Sequence, residues 1–103
     1  MTLGLDNQQI SVIGAILGHY PEVEKGLLYG SRVKGTHTPR SDIDLALIGT
    51  NLDRHTINRI KLELDESDLI NLIDVQDYHS INNPRLKSHI DRLGEVIYER
   101  MEG

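Results

Sequence analysis

GSRVKGTHTPRSDIDLALI, residues 30–48, is the stretch on which the reading of this chain turns. It opens with a Gly30-Ser31 turn and closes on an apolar run headed by two acids, Asp42 and Asp44, one residue apart. Ten residues lie between Ser31 and Asp42. Side chains at i and i+2 of a strand point to the same face, so the two carboxylates project together. An adjacent carboxylate pair suits a hard, oxygen-seeking cation such as Mg²⁺. The Gly-Ser turn ahead of them is placed to hold phosphates that such a cation bridges. These are the parts of a nucleotide-handling site.

Working outward, Asp44 to Ile48 reads as a strand that is apolar on both faces after its first residue, which fits a central strand covered on at least one side. Upstream, Gly26 to Tyr29 is a short apolar run that reads as a strand ending at Gly30. Ser31 to Lys34 fits one helical turn ended by Gly35, and the polar Thr36 to Arg40, with Pro39, reads as a loop. Asp6 or Asn7 caps a first helix in which Ile10, Ile13, Leu17 and Tyr20 recur at helical spacing, closed by Gly18 and Pro21. Downstream, Asp53 caps a helix with Ile57, Ile60 and Leu64 as its buried stripe. Leu69 to Val75 reads as a third strand. Asn83-Pro84 is a helix start, a cap followed by proline at the first helical position, and Leu86, Ile90 and Leu93 follow at helical spacing until Gly94. Glu95 to Arg100 fits an edge strand better than a frayed helical turn. No internal repeat, low-complexity segment or linker interrupts the chain.

Asp74 is the second anomaly. An acid inside Leu-Ile-Asn-Leu-Ile-Asp-Val (residues 69–75) is costly to bury unless it is paired, hydrogen-bonded or metal-bound. If the strands of Asp44 and Asp74 are neighbours, three carboxylates converge, and they repel unless a cation neutralises them. Two divalent ions about 3.5–4 Å apart are the usual use of such a cluster. The plainer alternative is that Asp74 caps a strand or turn.

Composition sets outer bounds. The 103 residues make one domain of ordinary size, 1–103. Phe, Trp and Cys are absent, so there is no disulfide framework and no cysteine-based zinc site, and four Tyr are the only aromatics. No window is long or apolar enough for a membrane span. MTLGLDNQQI lacks the basic and apolar regions of a signal peptide, so a cytoplasmic location is expected. A formal charge of −5 argues against broad, sequence-blind nucleic-acid binding, which needs a basic surface.

Gly30-Ser31, ten residues, Asp42-Ile43-Asp44 and then a later lone Asp on a strand resemble the signature of the nucleotidyltransferase superfamily that includes DNA polymerase beta. The flanking text, YGSRVKG and SDIDLAL with Arg32, Gly35 and Ser41, is similar to the minimal nucleotidyltransferase domains of bacteria and archaea. The likeness extends over nearly the whole chain, through INLIDVQDY to the last helix and EVIYE. It implies an α+β nucleotidyltransferase fold, a mixed β-sheet with helices packed mainly on one face. It also implies Mg²⁺-dependent transfer of a nucleoside monophosphate, AMP from ATP, to a hydroxyl. Relatives are often encoded beside an all-helical HEPN-domain protein, and some such pairs act as toxin and antitoxin, so a HEPN partner is expected.

By that resemblance, Gly30 lets the backbone approach a phosphate and Ser31 offers its hydroxyl and N–H. Asp42 and Asp44 hold Mg²⁺ and the triphosphate, and Asp74 binds the catalytic metal and helps deprotonate the acceptor. Tyr29 stands where many relatives have Phe. Arg32, Lys34 and Arg40 surround the phosphate site, and Arg32 is the candidate among them for pairing with the triphosphate. Other residues have plainer readings. Asp77 fits a turn cap, Tyr78 fits core packing, and Asp65 to Asp68 fit a solvated turn. His19, His37, His55, His79 and His89 show no zinc-ligand spacing. Arg85, Lys87 and Arg92 fit the wet face of the last helix.

Larger transferases of the superfamily use further domains to hold the acceptor. This chain has little room for them, so another protein or a second copy is expected to complete the site. An exposed apolar patch is expected beside the active-site edge, near the last helix and Val96 to Tyr98. Two other functions compete. One is a non-catalytic antitoxin or nucleotide-sensing module that silences its partner by occlusion. The other is a transferase for a small molecule such as an aminoglycoside.

Overall fold

The computed structural model describes residues 4–36, 38 and 40–100. His37 and Pro39, both in the stretch between the two halves of the motif, lie outside the described residues. The chain runs α1 (Asn7–Leu17), β1 (Lys25–Tyr29), α2 (Ser31–Lys34), β2 (Ile43–Ile48), α3 (Arg54–Asp65), β3 (Ile73–Asp77), a 3-10 turn (Tyr78–Ser80), α4 (Pro84–Leu93) and β4 (Glu95–Glu99). The helix starts follow from their caps. Asp6 accepts from the Gln9 N–H while Gln9 reaches back to the Asp6 N–H, a reciprocal capping box. Asp53 accepts from Thr56, and Asn83 accepts from Arg85 and Leu86 ahead of Pro84.

The four strands form one mixed sheet in the order β3-β2-β1-β4. β1 pairs antiparallel with both β2 and β4. β2 pairs parallel with β3, and α3 makes the crossover between them. Helices α1 and α3 cover one face. There Ile13, Leu17, Ile60 and Leu64 pack on Leu28, Ile43, Leu45, Leu47 and Val75 to form the main core. The opposite face carries a smaller cluster of Tyr29, Ala46, Ile81 and Ile90, with α4 over β1. The expected α+β sheet with helices mainly on one face is therefore the observed one, and α4 is the exception.

One boundary differs in a way that bears on function. The third strand spans Ile73–Asp77, not Leu69 to Val75. Its ladder with β2 starts only at the Ile43–Ile73 pair, after the Ile43 N–H donates to the Leu72 carbonyl. The apolar residues before it lie outside the ladder, and Ile70 and Leu72 are 86% and 71% exposed. Asp74 is likewise exposed, so the burial cost assumed for it does not arise.

Candidate active site

The site lies at the end of the sheet where β1 gives way to α2 and where β2 and β3 begin. Asp44 and Asp74 are direct partners in the parallel ladder, so their side chains leave the same face side by side. Asp42 sits just ahead of β2 and is exposed. All three line one open cleft of about 450 Å³, together with Asp65, Leu72 and Ile73. Asp65 was read from sequence as part of a solvated turn, and its place at the cleft was not anticipated.

Asp44 is half-buried, and its pKa is raised. Burial is the largest cause, followed by the like charges of Asp74 and Asp42. Tyr29, paired with Asp44 across β1 and β2, is pushed up to about 12 by burial and by the charges of Asp44 and Asp74. Its phenol stays protonated beside the acids. None of Asp42, Asp44 and Asp74 has a cationic side-chain partner within salt-bridge distance among the described residues. Asp74 accepts one long bond, 3.4 Å, from Gln76.

These oxygen donors, without a cationic side-chain partner among the described residues and gathered on one open cleft, fit a hard divalent cation. No three carboxyl or imidazole groups among the described residues are close enough to form a ready-made metal cage. That is compatible with Mg²⁺, which keeps several waters and is usually held by one or two carboxylates together with substrate phosphates.

Gly30 ends β1 at φ 82 and ψ −148, a conformation open to glycine alone. A Cβ at this position would run into Asp44 Oδ2, so the Gly-Ser turn lies directly against the acid. Ser31 begins α2, and its hydroxyl has no protein partner among the described residues. The Gly30 N–H donates to His89 Nε2 at 2.9 Å. His89 comes from α4, its ring edge-on to Tyr29 with centroids 6.1 Å apart. Burial, then Lys34 and Arg92, lower its pKa, which favours the neutral ring that this bond requires. Sequence reasoning had set His89 aside with the other histidines. The signal was its helical spacing: residue 89 lies three after Leu86 and next to the buried Ile90, on the inward side of α4.

Arg32 has a different task from the phosphate pairing expected of it. It is 3% exposed, and its guanidinium donates to the carbonyls of Gly4 (2.6 Å), Ser41 (2.9 Å), Asp42 (3.3 Å) and Thr38 (3.4 Å). Those bonds tie α2 to the loop that delivers Asp42. Asn71 adds a further bond to the Ser41 carbonyl at 3.0 Å. Lys34 and Arg40 are exposed. Asp77 caps the 3-10 turn as read from sequence.

A small mixed sheet with a Gly-Ser turn pressed against paired acids defines the nucleotidyltransferase fold. The chain belongs to the polymerase beta nucleotidyltransferase family, whose family model matches residues 12–103. Its fold is shared with a toxin–antitoxin crystallised with AMP-PNP (TM-score 0.72, 23% identity, covering 92% of this chain and 75% of that one). The MntA–HepT toxin–antitoxin is similar at a TM-score of 0.71 and 20% identity, over 92% of this chain and 74% of that one. A complex of tri-AMPylated HEPN toxin with MNT antitoxin from Shewanella oneidensis is similar at a TM-score of 0.70 and 18% identity, over 93% and 74%. No curated protein is significantly similar in sequence.

Proposed function

We propose that this chain transfers AMP from ATP, with Mg²⁺, to a hydroxyl on a HEPN-domain partner and serves as that partner's antitoxin. The observation that carries the reading is the in-register pair Asp44 and Asp74, with Gly30 packed directly against Asp44. The AMP-PNP and AMPylated-toxin complexes of structurally similar proteins support the choice of nucleotide and partner.

In this reading Ser31 holds the terminal phosphates with its hydroxyl. Asp42, Asp44 and Asp74 hold the metal. When bound, Mg²⁺ supplies charge neutralisation at the phosphates and at the attacking oxygen. Asp74, the exposed member of the strand pair, accepts the proton of the acceptor hydroxyl. The acceptor oxygen forms a bond to the α-phosphorus, the bond from that phosphorus to the β-phosphate bridge breaks, and pyrophosphate leaves. The protein contributes chiefly positioning and electrostatic stabilisation.

The test mixes the chain with Mg²⁺, α-labelled ATP and its HEPN partner. The partner acquires label, and Asp42→Ala or Asp74→Ala abolishes labelling while the complex persists. A tight complex that never labels would establish occlusion instead. Rapid labelling of a small molecule by the isolated chain would show that no protein acceptor is needed.

A further inference from the structure

We infer that His89 is a positioning residue for the triphosphate, holding the Gly30-Ser31 turn in its phosphate-receiving shape by accepting the Gly30 N–H. This rests on the nucleotidyl-transfer reading but concerns a residue outside its motif.

Gly30 occupies a sparsely populated backbone region, and such backbone persists only where its surroundings over-determine it. Three contacts do so here. The Gly30 carbonyl accepts from the Val33 and Lys34 N–H groups of α2, its Cα abuts the Asp44 carboxylate, and its N–H donates to His89. The first two lie within the motif. The third crosses from α4, 59 residues along the chain. It binds to a rigid support, because α4 is anchored through Ile90 and Leu86 in the cluster beneath Tyr29, and the imidazole edge rests on Tyr29 itself. With its own N–H given to His89, Gly30 cannot rotate freely, and Ser31 follows it with a hydroxyl that no other described residue claims. Fixing a binding loop in its bound shape before the ligand arrives raises affinity by removing an ordering cost.

Two variants of similar size separate a hydrogen-bonding role from packing. His89→Gln carries a side-chain oxygen to about the place of Nε2, and His89→Leu carries no acceptor. Two measurements are made on the full chain: hydrogen exchange at the Gly30 amide, and binding of Mg²⁺ with a non-hydrolysable ATP analogue. In His89→Leu the Gly30 amide should exchange faster and the analogue should bind about fivefold more weakly, the worth of one ordinary hydrogen bond. His89→Gln should restore both to near parent values. Equal exchange and equal binding in parent and His89→Leu would overturn the inference, as would equal defects in both variants. If the parent binds no nucleotide, the proposed function fails. The Gly30 exchange rates would still decide whether His89 locks the turn: slow in parent and His89→Gln but fast in His89→Leu supports it, and three equal rates refute it.

Discussion

Asp44→Asn separates a residue that serves a ligand from one that serves the fold. In the chain without metal, the Asp44 carboxylate stands beside Asp74 in the parallel ladder. Neighbouring strands are about 4.8 Å apart, so the two charges sit at roughly 5 Å. Two like charges at that distance repel by about 1 kcal/mol in water-like surroundings. That value is a lower bound, because Asp74 is exposed but Asp44 is half-buried. Asparagine keeps the shape and removes the repulsion, so the variant should melt about 4–8 °C higher than the parent in the absence of ligand. The sign with pH follows from the raised pKa of Asp44, caused first by burial and then by its acidic neighbours. The folded state holds this proton more tightly than the unfolded chain. The contribution is therefore present below the unfolded pKa and is lost as pH rises through the folded one. The gap between parent and variant should close in acid. With Mg²⁺ and ATP at about a hundred times the dissociation constant, the parent gains about 2.7 kcal/mol, or roughly 10–20 °C, and the variant should lose most of that gain. Thermal melts with and without Mg²⁺–ATP measure both arms. A ligand-free variant that melts below the parent would make Asp44 a structural residue. An undiminished ligand shift would remove it from the binding site.

Gly30→Ala places a Cβ against Asp44 Oδ2 at a positive φ, so it should destabilise the chain by about 1–3 kcal/mol in denaturant titration and abolish nucleotide binding. Arg32→Met removes a donor from four backbone carbonyls, of which Ser41 keeps Asn71 and Thr38 keeps the Ser41 N–H, and should cost roughly 2–4 kcal/mol; Arg32→Lys should recover little, because one ammonium cannot span the same carbonyls. In an ultraviolet titration, Tyr29 should ionise near pH 12, and Asp44→Asn should bring it down. Because the folded pKa of Tyr29 is raised, its contribution is complete below pH 10 and is lost as pH rises toward 12, so Tyr29→Phe should flatten the alkaline limb of the stability curve.

The parts of the site legible in the sequence are those whose meaning lies in side-chain spacing. Asp42 and Asp44 are two residues apart, and although Asp42 sits just ahead of β2 rather than within it, both line the same cleft, as the strand period of two suggests. The caps Asp6, Asp53 and Asn83 act within three residues of themselves, so they too can be read locally. The third strand was misplaced for the converse reason. Leu69 to Leu72 is as apolar as a strand, but no residue of β2 remains to pair with it once the ladder begins at Ile43. Leu69 packs against the main core, and Ile70 and Leu72 are left on the surface instead. Leu72 lines the cleft with the acids, and Ile70 stands exposed just before β3, whereas the patch expected near the last helix amounts to Leu93 and Val96, 42% and 51% exposed. Tyr98 packs into the main core rather than joining that patch.

Arg32 and His89 show why the support of such a site escapes a reading by residue type. Both act on backbone groups: one donates to carbonyls, the other accepts an amide N–H. Every non-proline residue offers the same backbone atoms, so no pattern in the chain marks which of them will need a partner. Need arises only when the fold leaves them without one. The carbonyls of Thr38, Ser41 and Asp42 lie ahead of β2 with hydrogen-bonding capacity to spare, and a long, five-donor side chain at position 32 meets all three at once. Gly30 leaves β1 in a conformation that no neighbouring strand can satisfy, so its N–H needs an acceptor, and α4 delivers one. A positive charge next to a phosphate motif is therefore ambiguous in sequence. It belongs to the ligand only if the loops beside it have already met their own hydrogen-bonding demand, and here the interloop carbonyls take Arg32 first.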